Sequence, residues 1–388
     1  MSEKYHIIPF CVPTICQEEI DAVSKVLRSG WLVSGKQVQS FENQIRRYIS
    51  GFKTVAVNSC TSGLRLAFET LPKRGKVLLP SFTFISTVET AVQAGFEPVF
   101  VEIGDDYNLD VEDAERKVDK DTVAIVPVHF GGQACDLEKV YAFAKAHGLY
   151  VVEDAAHAIG STYEGMMIGS KELAGFCDPY LHAVVFSFYA TKMITTGEGG
   201  VVSIFRDDEI FRQLRDNGIT RRAYDRENSQ NTWAYDVERF GFNFDMTDIA
   251  AAIGIEQLKK IEGFISSRER IADLYDLVFR DNDLIRIPVR HADRRHTFYL
   301  YTIRVNFGAL RIDKERFIEE LAKRGVIASV HFIPVHMFKV FRQNRLSLPK
   351  TEEIGRDVIS LPIYPTLSLE DAEYVSSMVG YTAERFRR

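Results

Sequence analysis

The first half of the chain alternates short apolar runs with stretches of helical spacing, and this alternation constrains the fold more than any other feature. The apolar runs occupy residues 54–59, 76–81, 97–103, 123–130, 150–154, 183–188 and 199–205. Between them, apolar residues recur at helical spacing, as at Leu64, Ala67, Phe68 and Leu71. Runs that are apolar throughout indicate strands buried on both faces, so the sequence predicts a mostly parallel, doubly wound α/β sheet.

The rest of the chain has a different pattern. Residues 247–279 predict one long helical region with a possible break near Gly254 or Gly263. The alternating runs 296–305 and 328–336 then indicate a smaller α+β unit. We therefore expect a large domain over residues 1–255 and a small C-terminal domain over residues 256–388.

Composition excludes several classes of protein. The 388 residues carry a formal net charge of -6 with both signs mixed, so no basic block favours nucleic acid as a partner. The N-terminus lacks the pattern of a signal peptide, and no apolar run is long enough to span a membrane. The five cysteines are spread without a CxxC pair, which argues against a disulfide framework and a zinc site. We expect a cytoplasmic protein without a metal.

Candidate ligand-binding residues follow two of the early strands, at the edge where open α/β sheets bind ligands. Ser59, Thr61, Ser62 and Gly63 stand at the start of a helix, where free N–H groups, hydroxyls and the helix dipole suit a phosphate. The same residues could instead be only a helix N-cap. Phe84 follows the next strand and could be either a platform for a ligand or a core residue.

The later strand ends carry ionisable groups. Asp154 ends the run 150–154 with His157 three positions on, although the first could cap a helix and the second could be a core histidine. Lys192 is harder to explain structurally, because a lysine after a buried strand loses solvation unless its amine is used. Pyridoxal 5'-phosphate (PLP) requires an amine, an anion for its ring nitrogen, an aromatic face and a phosphate cradle. The strand ends supply this set, so the sequence predicts a PLP site.

The chain also resembles the DegT/DnrJ/StrS family of PLP-dependent nucleotide-sugar aminotransferases, which have the aspartate aminotransferase fold (fold type I). The resemblance runs nearly end to end. It lies in LRSGWLVSGKQVQSFE (27–42), VNSCTSGLRLAF, PSFTFISTVETAVQAGFEPVFVEI, VVEDAAHAIGSTYEG, FSFYATKMITTGEGGVV, GFNFDMTDIAAAIGIEQL, VHFIPVH (330–336) and SLPIYP (360–365).

The resemblance implies roles for the residues of these stretches. Lys192 would be the Schiff-base lysine, Asp154 the partner of the ring nitrogen, and His157 a catalytic residue near the 3'-oxygen of the ring. The remaining cofactor contacts would come from Ser59, Thr61, Ser62, Phe84 as the stacking ring, and Ser187.

The resemblance further implies a homodimer with active sites at the subunit interface. Asn243 would reach the phosphate of the neighbouring subunit's cofactor. Trp31, His331 and His336 would lie on the sugar side of the pocket, although a core role for either histidine is an equal alternative.

The implied reaction is ping-pong transamination from L-glutamate to a keto group of a nucleotide-linked sugar, most consistent with C4, for polysaccharide or other amino-sugar biosynthesis. A 3-keto or non-nucleotide keto sugar is the alternative. A sugar dehydratase of the same fold would carry a histidine at the position of Lys192, and a non-catalytic relative would have lost part of the PLP set. A dinucleotide-dependent oxidoreductase would need a GxGxxG turn after the first strand, which is missing.

The chain departs from the family pattern in three places. Asp245 stands where many relatives have arginine, and Met193 follows Lys192 in place of the common asparagine. The segment 169–183 is longer than usual, and we expect it to reshape the rim of the pocket. These departures affect the prediction of the substrate more than that of the chemistry.

Overall fold

The computed structural model describes residues 6–205, 208–220, 233–341 and 346–388. Its helices are α1 Gln17–Ser29, α2 Lys36–Tyr48, α3 Cys60–Glu69, α4 Ile85–Gln93, α5 Val111–Lys117, α6 Leu137–His147, α7 Lys171–Cys177, α8 Glu209–Arg215, α9 Asp248–Phe279, α10 Lys314–Ala322, α11 Pro349–Asp357 and α12 Leu369–Arg385. Its strands are β1 Lys53–Val57, β2 Lys76–Pro80, β3 Glu97–Val101, β4 Thr122–Ile125, β5 Tyr150–Asp154, β6 Thr162–Tyr163, β7 Met166–Met167, β8 Leu181–Ser187, β9 Gly200–Ile204, β10 Ile285–Arg286, β11 Arg294–Arg295, β12 Tyr301–Val305 and β13 Val358–Leu361.

Seven of these strands form one large sheet in the order β1-β9-β8-β5-β4-β2-β3. The pairs from β8 to β3 are parallel, whereas β9 runs antiparallel to both β1 and β8. The predicted mostly parallel α/β sheet is therefore confirmed. Because β1, β2, β5 and β8 point the same way, their carboxyl ends share one edge of the sheet.

Helices cover both faces of this sheet, which explains why its strands are apolar throughout. One face packs with α2, where Phe41 and Ile45 are fully buried. The other face packs with α3, where Leu64 and Phe68 are fully buried. The sheet is thereby held rigidly between two apolar layers, and its carboxyl edge is a fixed frame for a site.

The long helix α9 continues through both of its internal glycines, so the predicted break is wrong. A Cβ atom at Gly254 would lie 2.7 Å from side-chain atoms of Phe41 and of Thr196. This glycine therefore allows close packing and does not end the helix. The helix begins at an N-cap, because the side chain of Thr247 accepts a hydrogen bond from the N–H of Ala250.

The C-terminal part contains a three-stranded antiparallel sheet, β10-β12-β13, with its own apolar core. Ile8 lies in that core and forms a β-bridge with Val326, so the N-terminal segment packs against the C-terminal part. The division into 1–255 and 256–388 falls inside α9 and stays a prediction. None of the helices within the described ranges combines the length and apolarity needed to cross a membrane.

Candidate active site

A cavity of about 500 Å³ opens at the carboxyl edge of the large sheet, a size typical of small-molecule sites. Its walls include residues that follow β1, β2, β5 and β8, elements far apart in the sequence. Of the predicted site residues, the cavity brings together Ser59, Thr61, Phe84, Asp154, His157, Ser187, Lys192 and His331. Apart from His331, which comes from the C-terminal part, these side chains meet because the ends of their strands lie at one edge of the sheet.

The first wall is the start of α3. Ser59 is the N-cap, and its Oγ accepts a hydrogen bond of 3.1 Å from the N–H of Ser62. The N–H groups of Cys60 and Thr61 lie in the first turn, where a helix offers them no acceptor. Ser62 is outside the cavity lining, and its hydroxyl donates to Asn58 Oδ1 at 2.6 Å. The turn is thus an N-cap that also presents two N–H groups and the Thr61 hydroxyl to an anion.

The second wall carries a buried carboxylate. Asp154 is 4% exposed, and its Oδ2 accepts a hydrogen bond of 2.7 Å from Thr87 Oγ1. Its Oδ1 accepts a hydrogen bond of 3.0 Å from the N–H of Ala156. Within the described part of the chain no cation pairs with this carboxylate, and a buried carboxylate without a cation is costly. A positively charged group of a ligand in the cavity would offset that cost.

Thr87 was not predicted, although the helical i,i+4 spacing from Thr83 was an available signal. The hydroxyls of Thr83 and Thr87 are 2.8 Å apart, so a short chain of hydrogen bonds leads from the cavity wall to Asp154. The neighbouring acid, Glu153, points elsewhere. It is fully buried, and its Oε2 lies 3.0 Å from Nε2 of the equally buried His129.

His157 is held as a neutral imidazole. Its Nδ1 accepts a hydrogen bond of 3.2 Å from the N–H of Gly131, which leaves the ring proton on Nε2. The ring lies between Phe332, with centroids 6.0 Å apart at 17°, and Tyr299, with centroids 4.4 Å apart. Burial, together with the positive charge of Lys192, holds the pKa of His157 well below its ordinary value.

Lys192 lies in a turn after β8, where its N–H donates to the carbonyl of Tyr189 at 2.9 Å. Its amine nitrogen Nζ lies 4.4 Å from the centroid of the Tyr299 ring. Tyr299 was not predicted as a site residue, because its run of alternating residues indicates only a strand. Met193, one of the departures, is 2% exposed and belongs to the main apolar core, so it replaces a polar residue without entering the cavity.

His331 lies on the opposite wall from the sheet. Its Nδ1 is 3.0 Å from Ser360 Oγ, and its ring stacks on Phe10 with centroids 5.3 Å apart. Burial and the nearby charge of Lys192 lower the pKa of His331 to about 4, so at neutral pH its imidazole is uncharged.

Three other predicted residues lie outside the cavity of this chain. His336 is buried, with Nδ1 2.7 Å from Ser81 Oγ and Nε2 3.3 Å from Glu352, so both ring nitrogens already have partners. Trp31 donates its indole N–H to the carbonyl of Ser34 at 3.3 Å. The carbonyl of Asn243 accepts from Asn58 Nδ2 at 3.4 Å, next to the start of α3. Their contacts with substrate or with a neighbouring cofactor stay predictions.

The two remaining departures also lie away from the cavity. The segment 169–183 forms α7 and the start of β8, and among the described residues it supplies none of the cavity lining. The expected effect on the rim is therefore wrong for the cavity of this chain. Asp245 Oδ1 lies 2.8 Å from Nε of the fully buried Arg215, so this acid pairs with a structural cation.

The residues around the cavity fit PLP. An amine, a buried carboxylate that lacks a cation, an exposed aromatic ring and a helix N-terminus all border one space. Phe84 is 57% exposed, so its ring is available to a planar group. Lys192, Asp154, Phe84 and Thr61 would therefore hold the cofactor by its aldehyde, its ring nitrogen, its face and its phosphate.

Comparison with known proteins identifies the family of the chain. Residues 13–380 match the model of the DegT/DnrJ/EryC1/StrS aminotransferase family. The chain is 37% identical over 390 residues to the spore coat polysaccharide biosynthesis protein SpsC of Bacillus subtilis, covering 98% of this chain and 98% of that protein.

Solved structures give the same result. PseC of Helicobacter pylori, an aminotransferase involved in the biosynthesis of pseudoaminic acid, matches with a TM-score of 0.89 and 29% identity, covering 98% of this chain and 100% of that one. The pyridoxamine-phosphate form of Spr1654 of Streptococcus pneumoniae matches with a TM-score of 0.88 and 29% identity, covering 97% of this chain and 99% of that one. The activity of Spr1654 as a sugar aminotransferase is a provisional assignment. The chain therefore belongs to the DegT/DnrJ/EryC1/StrS aminotransferase family and is a PLP-dependent sugar aminotransferase.

Proposed function

We propose that this enzyme transfers an amino group from L-glutamate to the C4 ketone of a nucleotide-linked keto-deoxy sugar. The observation that carries the proposal is the meeting of Lys192, Asp154 and the start of α3 around one cavity of about 500 Å³. The name of SpsC, a relative in spore coat polysaccharide biosynthesis, supports a role in the synthesis of a polysaccharide.

Each residue of the site has a distinct task in this proposal. When bound, PLP supplies an electron sink for negative charge at the carbon next to the transferred nitrogen. Lys192 would hold the cofactor covalently through Nζ, and as a free amine its Nζ would accept the proton that leaves Cα of the amino donor. Asp154 keeps its negative charge beside the ring nitrogen and so favours a proton there. Thr61 and the N–H groups at the start of α3 bind the phosphate.

The polar groups that we place on the sugar side of the cavity suit the hydroxyls of an uncharged sugar ring. His331 is neutral there, and the exposed Glu198 adds a carboxylate to the lining. Both groups can bond to sugar hydroxyls. Among the described lining residues Lys192 is the one lysine or arginine, so the phosphates of a nucleotide would be bound outside this cavity.

We also propose a homodimer in the cytoplasm whose active sites are shared. The segment before Asn243 exposes large apolar side chains, with Trp233 81% exposed and Phe240 fully exposed, and such a surface favours a partner. A second copy of the chain would cover it and bring Asn243 to the neighbouring phosphate. All five cysteines are free thiols, which suits a reducing compartment.

A panel of substrates tests the reaction. The pyridoxamine form of the enzyme is mixed with UDP-, GDP- and dTDP-linked 3-keto and 4-keto sugars, and amino-sugar formation is measured by mass spectrometry. We expect turnover with a 4-keto nucleotide sugar, and regeneration of the pyridoxamine form by L-glutamate. The Lys192→Ala variant is the control for uncatalysed transfer. Amination of only 3-keto or free sugars, or a product that has lost water without gaining nitrogen, would overturn the proposal.

A further inference from the structure

We propose that Tyr299 is a catalytic residue whose ring face stabilises the protonated form of the free Lys192 amine. The proposal rests on the proposed role of Lys192 as the reactive amine. It concerns the stage of the reaction in which that amine is not bound to the cofactor and must hold a proton.

The geometry is that of a cation–π pair. Lys192 Nζ lies 4.4 Å from the centroid of the Tyr299 ring, within the range of about 6 Å over which such pairs attract. Both residues line the same cavity. Within the described ranges no carboxylate lies at ion-pair distance from this amine, so the ring face is the group positioned to favour its positive charge.

The ring is held in that position from several sides. The segment that carries it is fixed by hydrogen bonds from Thr297 N–H to Gly132 O at 3.0 Å and from Leu300 N–H to Gly131 O at 3.1 Å. The Tyr299 hydroxyl is 3.3 Å from Thr191 Oγ1. Since Tyr299 is only 6% exposed, its ring cannot swing into solvent, and the amine meets a fixed face.

A buried cation anchors the same segment from behind. The guanidinium of Arg268 is 1% exposed, and its Nη1 donates to Tyr299 O at 3.2 Å and to Ile363 O at 2.5 Å. Arg268 is thus a positioning residue for Tyr299, linking α9 and the C-terminal part to the cavity.

The Tyr299 ring and burial act in opposite directions on a positive charge at the Lys192 amine. Burial disfavours the charged amine, whereas a ring face favours it. Among the described residues, the other titratable groups that line a cavity with Lys192 are Asp154, His157, Cys60, Tyr189, Glu198 and His331 in the main cavity, and Cys11 and Arg268 in the small one behind it. Both histidines are neutral, so neither adds a positive charge beside Nζ, and the face of the Tyr299 ring favours one.

The test measures the pKa of this amine directly in the full-length protein freed of cofactor. Reductive methylation with ¹³C-formaldehyde gives each lysine an NMR signal, and the signal missing in Lys192→Arg is that of Lys192. We expect Tyr299→Leu to lower the pKa of Lys192 by about one unit, and Tyr299→Phe to change it by less than about 0.3 units, since a ring face is kept. In the holoenzyme, the pH profile of kcat should move in the same direction.

A graded series protects the test against a variant that fails to fold. Phenylalanine with one, two and three fluorines at position 299 keeps the ring shape but weakens the negative face. The pKa of Lys192 should then fall with each added fluorine. An unchanged pKa across this series, or equal values for Tyr299→Phe and Tyr299→Leu, would overturn the proposal. Borohydride labelling at a lysine other than Lys192 would instead overturn the proposed role of Lys192, whatever the NMR result.

Discussion

Replacing Asp245 by asparagine should weaken the segment that carries Asn243, although neither residue lines the cavity. Asp245 Oδ1 lies 2.8 Å from Nε of Arg215, whose side chain is fully buried. The other partners of that guanidinium are Glu42 Oε1 at 2.9 Å and the carbonyl of Ala56 at 2.8 Å. Asp245→Asn removes one of two negative charges that compensate a buried cation.

The size of the effect follows from burial and distance. Two unit charges with centres about 4 Å apart interact by about 4 kcal/mol at an effective dielectric constant of about 20. Asp245 is 21% exposed on its side chain and Glu42 remains in place, so solvent and the second acid reduce the loss. We expect a cost of about 2 kcal/mol, below the range of about 3–5 kcal/mol for leaving a buried charge wholly unpaired. Asp245→Arg should cost more, because it adds a second cation beside Arg215.

Hydrogen exchange measures this loss locally. The N–H groups of Phe242 and Phe244 donate to Leu214 O at 2.6 Å and to Arg215 O at 2.9 Å, so their protection reports opening of the segment away from α8. A loss of about 2 kcal/mol corresponds to exchange that is about 30-fold faster at these two amides.

Glu256→Gln is a matched control. Glu256 is 20% exposed, almost the same as Asp245, but its partner Lys259 is 58% exposed. The control should change stability by less than about 0.5 kcal/mol. If exchange at Phe242 and Phe244 rose less than about threefold in Asp245→Asn, or rose equally in the control, pairing with Arg215 would not be what holds the segment.

Three further predictions concern the site. Borohydride reduction should fix the cofactor to Lys192, and Lys192→Ala should abolish turnover while still binding PLP noncovalently; a label on another lysine in the peptide map would contradict this. Asp154→Asn should fold normally but lower kcat by several orders of magnitude, because a neutral amide does not favour a proton on the ring nitrogen; a fully active Asn variant would reduce Asp154 to a structural residue that accepts the N–H of Ala156. Mixing inactive Lys192→Ala and Asn243→Ala subunits should restore part of the activity, because one site of the mixed dimer carries neither defect; no recovery despite proven subunit exchange would place Asn243 in its own chain's site.

The large sheet was predictable because its signal is local and repeated. Each strand is an apolar run of a few residues, and β5 has the predicted bounds Tyr150–Asp154. Once the strands are parallel, the positions just after them must meet at one edge. This explains why Thr61, Phe84, Asp154 and Lys192, which are far apart in the sequence, line one cavity.

The sequence predicted which residues lie near the cavity better than it predicted which of their side chains point into it. Ser62 follows Thr61 in the sequence, yet its hydroxyl turns back to Asn58 Oδ1 and leaves the cavity to Thr61. His331 and His336 lie in one matching stretch, but the first lines the cavity and the second is buried against Ser81. The two histidines differ because the tertiary contacts of this stretch, which no local pattern encodes, decide which of them faces the sheet edge.

Residues that reach the site from outside the large sheet could not be predicted from a pattern in the sequence. Tyr299 precedes β12 of the C-terminal sheet, and its segment is held at the cavity by hydrogen bonds from the N–H groups of Thr297 and Leu300 to the turn at Gly131 and Gly132. That turn requires glycine, since Gly131 has φ of 64° and Gly132 has φ of 101°. A long-range contact between two loops thus helps to place an aromatic ring beside the amine of Lys192, and sequence spacing alone does not indicate it.

The departures from the family pattern show where specificity should be sought. Met193 packs in the apolar core, and Asp245 forms an ion pair with Arg215. The segment 169–183 forms α7 and the start of β8. None of them alters the lining of the cavity, so in this chain they concern stability and packing. We therefore expect differences in substrate to come from residues that line the cavity. Glu198 and His331 are two polar side chains of this lining, and in the proposed mechanism neither of them holds the cofactor. Variation at these two positions should change which sugar is accepted while leaving the half-reaction with the amino donor intact, and comparing the two half-reactions separately would distinguish the two effects.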